Sequence, residues 1–152
     1  MISCDTNILF AVSNPNDVNH DKAVDFIAQN ADNDKFVIAE QVLVELYGLL
    51  RNPTLNTTPL SPSEAVEVVS AYRQNPSWAL IDVPQDRKVM QKVWLKAGGH
   101  NFARRRIHDM RLAETLKYWG VTEFYTRKTK DFLDAGFENV INPFETVDRG
   151  DC

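Results

Sequence analysis

The sequence is poor in several things that commonly define a protein class. It has two cysteines in 152 residues, Cys4 and Cys152. Two cysteines make neither a disulfide framework nor a zinc cluster. Its three histidines, His20, His100 and His108, form no pair at ligand spacing, which disfavours zinc. No run of ~18 apolar residues occurs, so no transmembrane helix is expected. The N-terminus, Met1-Ile2-Ser3-Cys4-Asp5, lacks a basic region followed by a long apolar one. No secretory signal is therefore expected, and a cytoplasmic protein with incidental thiols is the plain expectation. The formal net charge is only -4, from 17 Lys+Arg against 21 Asp+Glu. Taken whole, that argues against a basic nucleic-acid coat or a polybasic membrane binder.

What is present suffices for one ordinary domain, since ~100–200 residues per domain is usual. With 43% hydrophobic content, a chain of this length buries roughly 70% of its unfolded surface. The expected domain covers residues 1–148, with 149–152 as a short tail.

Strands and helices alternate along the chain. Met1–Asp5 reads as a first strand and Asn19–Asn30 as a helix, from Ala23, Val24, Phe26 and Ile27 at helical spacing. Lys35–Ala39 is a second strand and Glu40–Leu50 a helix that Arg51-Asn52-Pro53 ends. Ser61-Pro62-Ser63-Glu64 is a capping-box start for a helix reaching about Gln74. Trp78–Val83 is a third strand. Gln85–Ala97 and His108–Trp119 are helices, closed by Gly98-Gly99 and by Gly120. Val121–Thr126, a short helix Lys130–Ala135 and the strand Glu138–Ile141 complete the order. Such an order implies an α/β fold with a parallel sheet covered by helices on both faces. Ligands bind beyond the carboxyl ends of such strands.

Three carboxylates stand where a reason is needed. Asp5 ends the first strand, where Asp also serves as a cap or turn residue. Glu45 lies one turn after Val42 and one turn before Leu49, beside an apolar stripe. Asp109 opens the helix His108–Trp119 above Leu112, Ala113 and Leu116, where the helix dipole also favours an acid. Each has a structural use alone. Together, at one sheet edge, they repel one another and need raised pKa values or a cation. An all-oxygen set suits Mg²⁺ or Mn²⁺.

The motifs carrying these residues resemble the PIN-domain ribonucleases. Asp5-Thr6-Asn7-Ile8-Leu9 is similar to the family's opening motif. Val42-Leu43-Val44-Glu45-Leu46 is similar to the second and Ile107-His108-Asp109-Met110-Arg111-Leu112-Ala113 to the third. Tyr125-Thr126-Arg127, Lys130-Asp131-Phe132 and Asn142-Pro143 resemble the closing segment. At this length the chain resembles the VapC-type toxins of bacterial toxin–antitoxin pairs. The resemblance implies a single PIN-like domain with a parallel sheet of four or five strands. It implies a type II toxin: an endoribonuclease dependent on Mg²⁺ or Mn²⁺, cleaving RNA by a metal-activated water. It implies a small antitoxin partner and a homodimer. Asp5, Glu45 and Asp109 match the metal-ligand positions, and Thr6 and Asn7 would position substrate. At the fourth acidic position stands Lys128. Asp131, three residues on, either supplies the missing catalytic carboxylate or caps its short helix.

The charge is segregated. Arg87–Lys130 holds 12 Lys+Arg against 3 Asp+Glu, a balance of +9, and the remainder, 5 against 18, carries -13. Arg104, Arg105, Arg106, Arg111, Arg127 and Lys128 flank Asp109 and Asp131 in sequence, as an RNA backbone requires. Phe102, taken as exposed, could stack on a base.

Other classes remain. Lys128 motivates a catalytically weakened PIN-fold module that binds RNA or protein without cutting. A dinucleotide enzyme is disfavoured, because no Gly-rich fingerprint follows the first strand. A phosphatase with Asp5 as nucleophile would want a second aspartate two residues on, where Asn7 stands.

Overall fold

A computed structural model describes residues 1–145. The expected domain end at residue 148, the tail and Cys152 lie outside the described residues. The elements are β1 (Ile2–Cys4), α1 (Thr6–Ser13), α2 (His20–Asn30), β2 (Val37–Ala39), α3 (Glu40–Leu50) and α4 (Pro62–Arg73). They continue with β3 (Ala79–Ile81), α5 (Arg87–Ala97), α6 (Arg106–Tyr118), β4 (Glu123–Tyr125), α7 (Thr129–Phe132) and β5 (Asn139–Ile141).

Every strand pairing is parallel. β1, β4 and β5 form one ladder and β2 and β3 another. A parallel bridge between Ile2 and Phe36 joins the two pieces. The spatial order is therefore β3-β2-β1-β4-β5, which puts β1 in the middle. Cys4 lies opposite Tyr125, and Tyr125 opposite Ile141. The carboxyl ends of β1, β4 and β5 thus align at one edge.

The expected parallel α/β sheet is present, covered by helices. The central strands β1 and β2 are hydrophobic because both their faces are covered, while the edge strands β3 and β5 are more exposed. Phe36, Val37, Ile38 and Phe124 are at most 1% exposed. Helix α3 presents Val42, Leu43, Leu46 and Leu50 to this core. Helix α4 starts with the expected capping box: Glu64 N–H donates to Ser61 Oγ, and Ser61 N–H donates to the Glu64 carboxylate.

Two expectations need correction. Helix α1 was not foreseen. It begins one residue after β1, and its apolar run from Ile8 to Val12 is too short to declare its period. Burial of Ile8, Leu9 and Ala11 secures it. Helix α6 starts at Arg106, so Asp109 lies within its first turn and does not open it. Gly120, at φ +89, ends that helix as expected, since the left-handed turn there suits glycine.

Helices α5 and α6 pack together. Between them Glu114, 5% exposed, accepts from Lys96 Nζ and Lys117 Nζ, both at 2.9 Å. Burial alone would raise its pKa, but the two ammonium groups outweigh that and pull it below the usual range. The stability it contributes is present above the ordinary glutamate pKa and is lost as pH falls through the lowered one. Glu114→Gln is expected to cost about 1–3 kcal/mol at pH 7, and less below roughly pH 4. Urea unfolding at the two pH values checks both the size and the sign.

Candidate active site

Asp5 occupies the turn from β1 into α1. Its backbone N–H donates to the Tyr125 carbonyl at 2.9 Å, an extension of the β1–β4 ladder. Its side chain then caps α1. Oδ1 accepts from Thr6 N–H at 2.8 Å. Oδ2 accepts from Thr126 Oγ1 at 2.8 Å and from Asn7 Nδ2 at 3.4 Å. The carboxyl is only 8% exposed. Burial pushes it up to about 6, against the lowering effect of the Thr126 and Thr6 hydrogen bonds. The charges of Glu45 and Asp109 push the same way as burial.

Glu45 projects from α3 and is half-buried. Thr6 Oγ1 donates to its Oε2 at 2.7 Å, and Gln41 Nε2 donates to its Oε1 at 3.3 Å. Asp109, in the first turn of α6, is half-buried too. Burial raises its pKa first and the Asp131 charge next, with Glu45 adding and Lys128 and Arg106 opposing. Asp131 sits in the first turn of α7, and no side chain caps that helix. Asp5, Glu45 and Asp109 are therefore within range of one another's charge, and Asp131 is within range of Asp109. Asp131 raises the pKa of Asp109 by its charge.

The donor set is oxygen only. The Cys4 thiol, fully buried, has its pKa pushed far up, and His108 is exposed on α6. Hard divalent cations fit such donors. Among the described residues no three Asp, Glu, His or Cys side chains close on a single point. Thr6 and Gln41 hold Glu45, while Thr126 and Thr6 hold Asp5, so like charges stand apart. Chelation by three of them therefore needs side-chain rotation. In chemistry the residues fit a hard cation.

The basic residues divide. Arg104 and Arg105 are exposed in the loop before α6. Arg106 pairs with Asp134 at 3.1 Å and stands 5.8 Å over the Phe102 ring. Phe102 is thus half-covered, a correction to its expected exposure. Arg111 Nη1 donates to Gln41 Oε1 at 3.0 Å. Arg127 pairs with Asp17 at 2.7 Å and lies 5.4 Å over Phe144. Its guanidinium is thus engaged within the frame. Lys128 acts on Asp109 by charge, while its N–H donates to Thr126 Oγ1 at 3.0 Å.

Thr6 is 4% exposed and bonded to Glu45. Asn7, half-buried, bonds Asp5 and Thr126, and its Oδ1 accepts from Arg127 N–H at 3.2 Å. Both hold carboxylates of the candidate site. Sequence reasoning missed Thr126 and Gln41. The available signals were a hydroxyl at the end of a strand beside β1, and a glutamine one helical turn before Glu45.

No family model matches the chain. The toxin VapC20 of Mycobacterium tuberculosis, described as cleaving the sarcin-ricin loop, matches with a TM-score of 0.68 at 20% identity, over 90% of this chain and 96% of its own. VapBC2 of Rickettsia felis, bound to a promoter DNA fragment, gives 0.62 at 18% identity, over 91% of this chain and 98% of its own. FitAB bound to DNA gives 0.61 at 18% identity, over 96% and 97%. The fold is accordingly that of the PIN-domain toxins. Ribonuclease VapC24, from two strains of Mycobacterium tuberculosis, is 45% identical over 143 residues, 94% of this chain and 97% of its own length. The chain belongs to the VapC ribonuclease family.

Without a divalent cation, Asp5 is a costly residue. Folding favours its neutral form, because its carboxyl titrates near 6. The stability linked to it is full below about pH 4 and is lost as pH rises through the folded value. Asp5→Asn is expected to stabilise the metal-free chain at pH 8, by about 1–3 kcal/mol, and to change little at pH 4. Urea unfolding in a chelator at both pH values measures this.

Proposed function

We propose that this chain is the ribonuclease toxin of a toxin–antitoxin pair, cutting RNA phosphodiester bonds with Asp5, Glu45, Asp109 and Asp131 holding Mg²⁺ or Mn²⁺. One observation carries this proposal. The Asp5 carboxyl sits near 6 despite two hydrogen bonds that lower it, with Glu45 and Asp109 adding their charge. Bound there, a divalent cation supplies positive charge for a phosphoryl oxygen and acidifies water at neutral pH. The protein residues do the rest. Thr6 and Thr126 keep the carboxylates aimed. Lys128, beside Asp109, meets a phosphate oxygen. Arg104 and Arg105 take the neighbouring backbone phosphates.

Asp131 bears on the rival non-catalytic module. Its charge acts on Asp109 more strongly than that of Lys128. On this reading α7 supplies the fourth carboxylate, which favours cleavage over binding alone. The relatives described as VapBC and FitAB complexes support an antitoxin partner for this chain too. A homodimer is part of the same proposal, supported by Trp94 and Leu95 on α5, which are 62% and 81% exposed. No helix among the described residues is long and apolar enough to cross a membrane. With RNA as the proposed substrate, the cytoplasm is the proposed site of action.

Two measurements test the function. Asp5→Asn is expected to lose at least about 100-fold in Mn²⁺-dependent cleavage, since changes even to groups behind metal ligands cost 10–100-fold. The urea measurement above checks that its fold is retained. Retained metal-dependent cleavage would sink the assignment, and RNA binding without cleavage in the wild type would favour the module. Replacing Arg104 and Arg105 with Gln is expected to lower the salt slope of RNA binding by up to roughly 1.4, at ~0.7 per phosphate contact. An unchanged slope removes that loop from the RNA path.

A further inference from the structure

Helices α3 and α6 carry Glu45 and Asp109, and one side chain ties them together. Gln41 lies one turn before Glu45 on α3. Its Nε2 donates to Glu45 Oε1 at 3.3 Å and to the His108 carbonyl at 2.9 Å. Its Oε1 accepts from Arg111 Nη1 at 3.0 Å. Among the described residues, these last two are the only side-chain hydrogen bonds between α3 and α6. The His108 carbonyl belongs to the peptide unit that continues into Asp109. Gln41 therefore grips the carboxylate of one candidate ligand and the backbone of the other.

Chemistry fixes which way this amide points. A carboxylate and a carbonyl can only accept, so the NH₂ must face them. A guanidinium can only donate, so the oxygen must face it. An acid at this position could not donate to Glu45, and a lysine could not accept from Arg111. The neutral amide also separates two opposite charges. Arg111 and Glu45 bind opposite ends of one small group and make no ion pair with each other. A direct pair would neutralise a carboxylate that a cation needs.

We propose that Gln41 is a positioning residue of the site: it sets the spacing of Glu45 and Asp109 and keeps the Arg111 guanidinium off the Glu45 carboxylate. This rests on the proposed cation-holding role of those carboxylates. Groups that orient ligands from behind are worth 10–100-fold in metal affinity, and Gln41 holds one candidate's carboxylate and the peptide unit leading into the other.

The test is Mn²⁺ titration of the whole chain by calorimetry, without RNA, alongside melting in a chelator. Gln41→Met keeps the length of the side chain and removes all three bonds. It is expected to weaken Mn²⁺ binding by about 10–100-fold with little change in melting temperature. Adding Arg111→Ala is expected to bring affinity back toward wild type, because the guanidinium that would claim Glu45 is gone. A merely structural role would lower the melting temperature and leave Mn²⁺ affinity alone, which would overturn the proposal. A loss that Arg111→Ala fails to relieve would overturn its charge-separating half. Should Gln41→Met lose its fold, Arg111→Ala alone decides: equal or tighter Mn²⁺ binding supports the proposal and weaker binding overturns it. A wild-type chain that cleaves RNA but binds no Mn²⁺ would instead overturn the role of the carboxylates. That outcome is seen before any variant is compared.

Discussion

A carboxyl group held almost out of water at the end of the central strand is the constraint on which the site depends. Asp5 lies where β1 stops, α1 starts and β4 runs alongside. Its three hydrogen-bond donors, the Thr6 N–H, Thr126 Oγ1 and Asn7 Nδ2, are all neutral. They fix its direction without cancelling its charge. Two other acids in this chain show the alternative. Asp17 and Glu114 are well covered, but each has a cationic partner, and each is pulled below the usual range despite burial. Asp5 and Asp109 move the other way. Covered acids that serve the frame are paired here. The covered acids at the carboxyl edge have no ion pair among the described residues and keep raised pKa values, the pattern found at functional sites.

The cations around the site follow the same division. Arg106, Arg111 and Arg127 look alike in sequence, yet each is committed: to Asp134, to Gln41 and to Asp17. The Arg127–Asp17 pair does particular structural service. It joins the turn after β4 to the connection between α1 and α2, and its guanidinium covers Phe144 near the end of the described chain. Arg104 and Arg105 have no such commitment among the described residues. The +9 segment is therefore less available to a phosphate backbone than its charge count implies.

The order of strands and helices was legible because the hydrophobic period switches clearly at Glu40, at Ser61 and around Arg87. Helix α1 was not, since the apolar run from Ile8 to Val12 is too short to declare its period. The three main carboxylates were legible as acids at element ends or beside apolar faces, where an acid has to be explained. Their supports were not. Thr126 and Gln41 are ordinary neutral residues whose roles exist only through partners distant in sequence, Asp5 and His108. The fate of Arg127 was equally hidden, because its partner Asp17 lies 110 residues away. Local pattern shows which residues are out of place. It does not show which are already spoken for.

Lys128 and Asp131 illustrate what that difference does to chemistry. A lysine at the fourth acidic position suggests a damaged site when the chain is read one residue at a time. In three dimensions Lys128 and Asp131 stand one helical turn apart at the start of α7 and act on Asp109 with opposite sign, Asp131 the more strongly. On the proposed function, the fourth carboxylate has moved by three residues rather than vanished, and a fixed positive charge has been added beside it. That charge relieves part of the repulsion among the acids while no cation is bound. It also offers a phosphate oxygen a contact where a carboxylate would repel it. The substitution trades electrostatic pull on the cation for pull on the substrate, and a cluster still holding four acids can bear that trade.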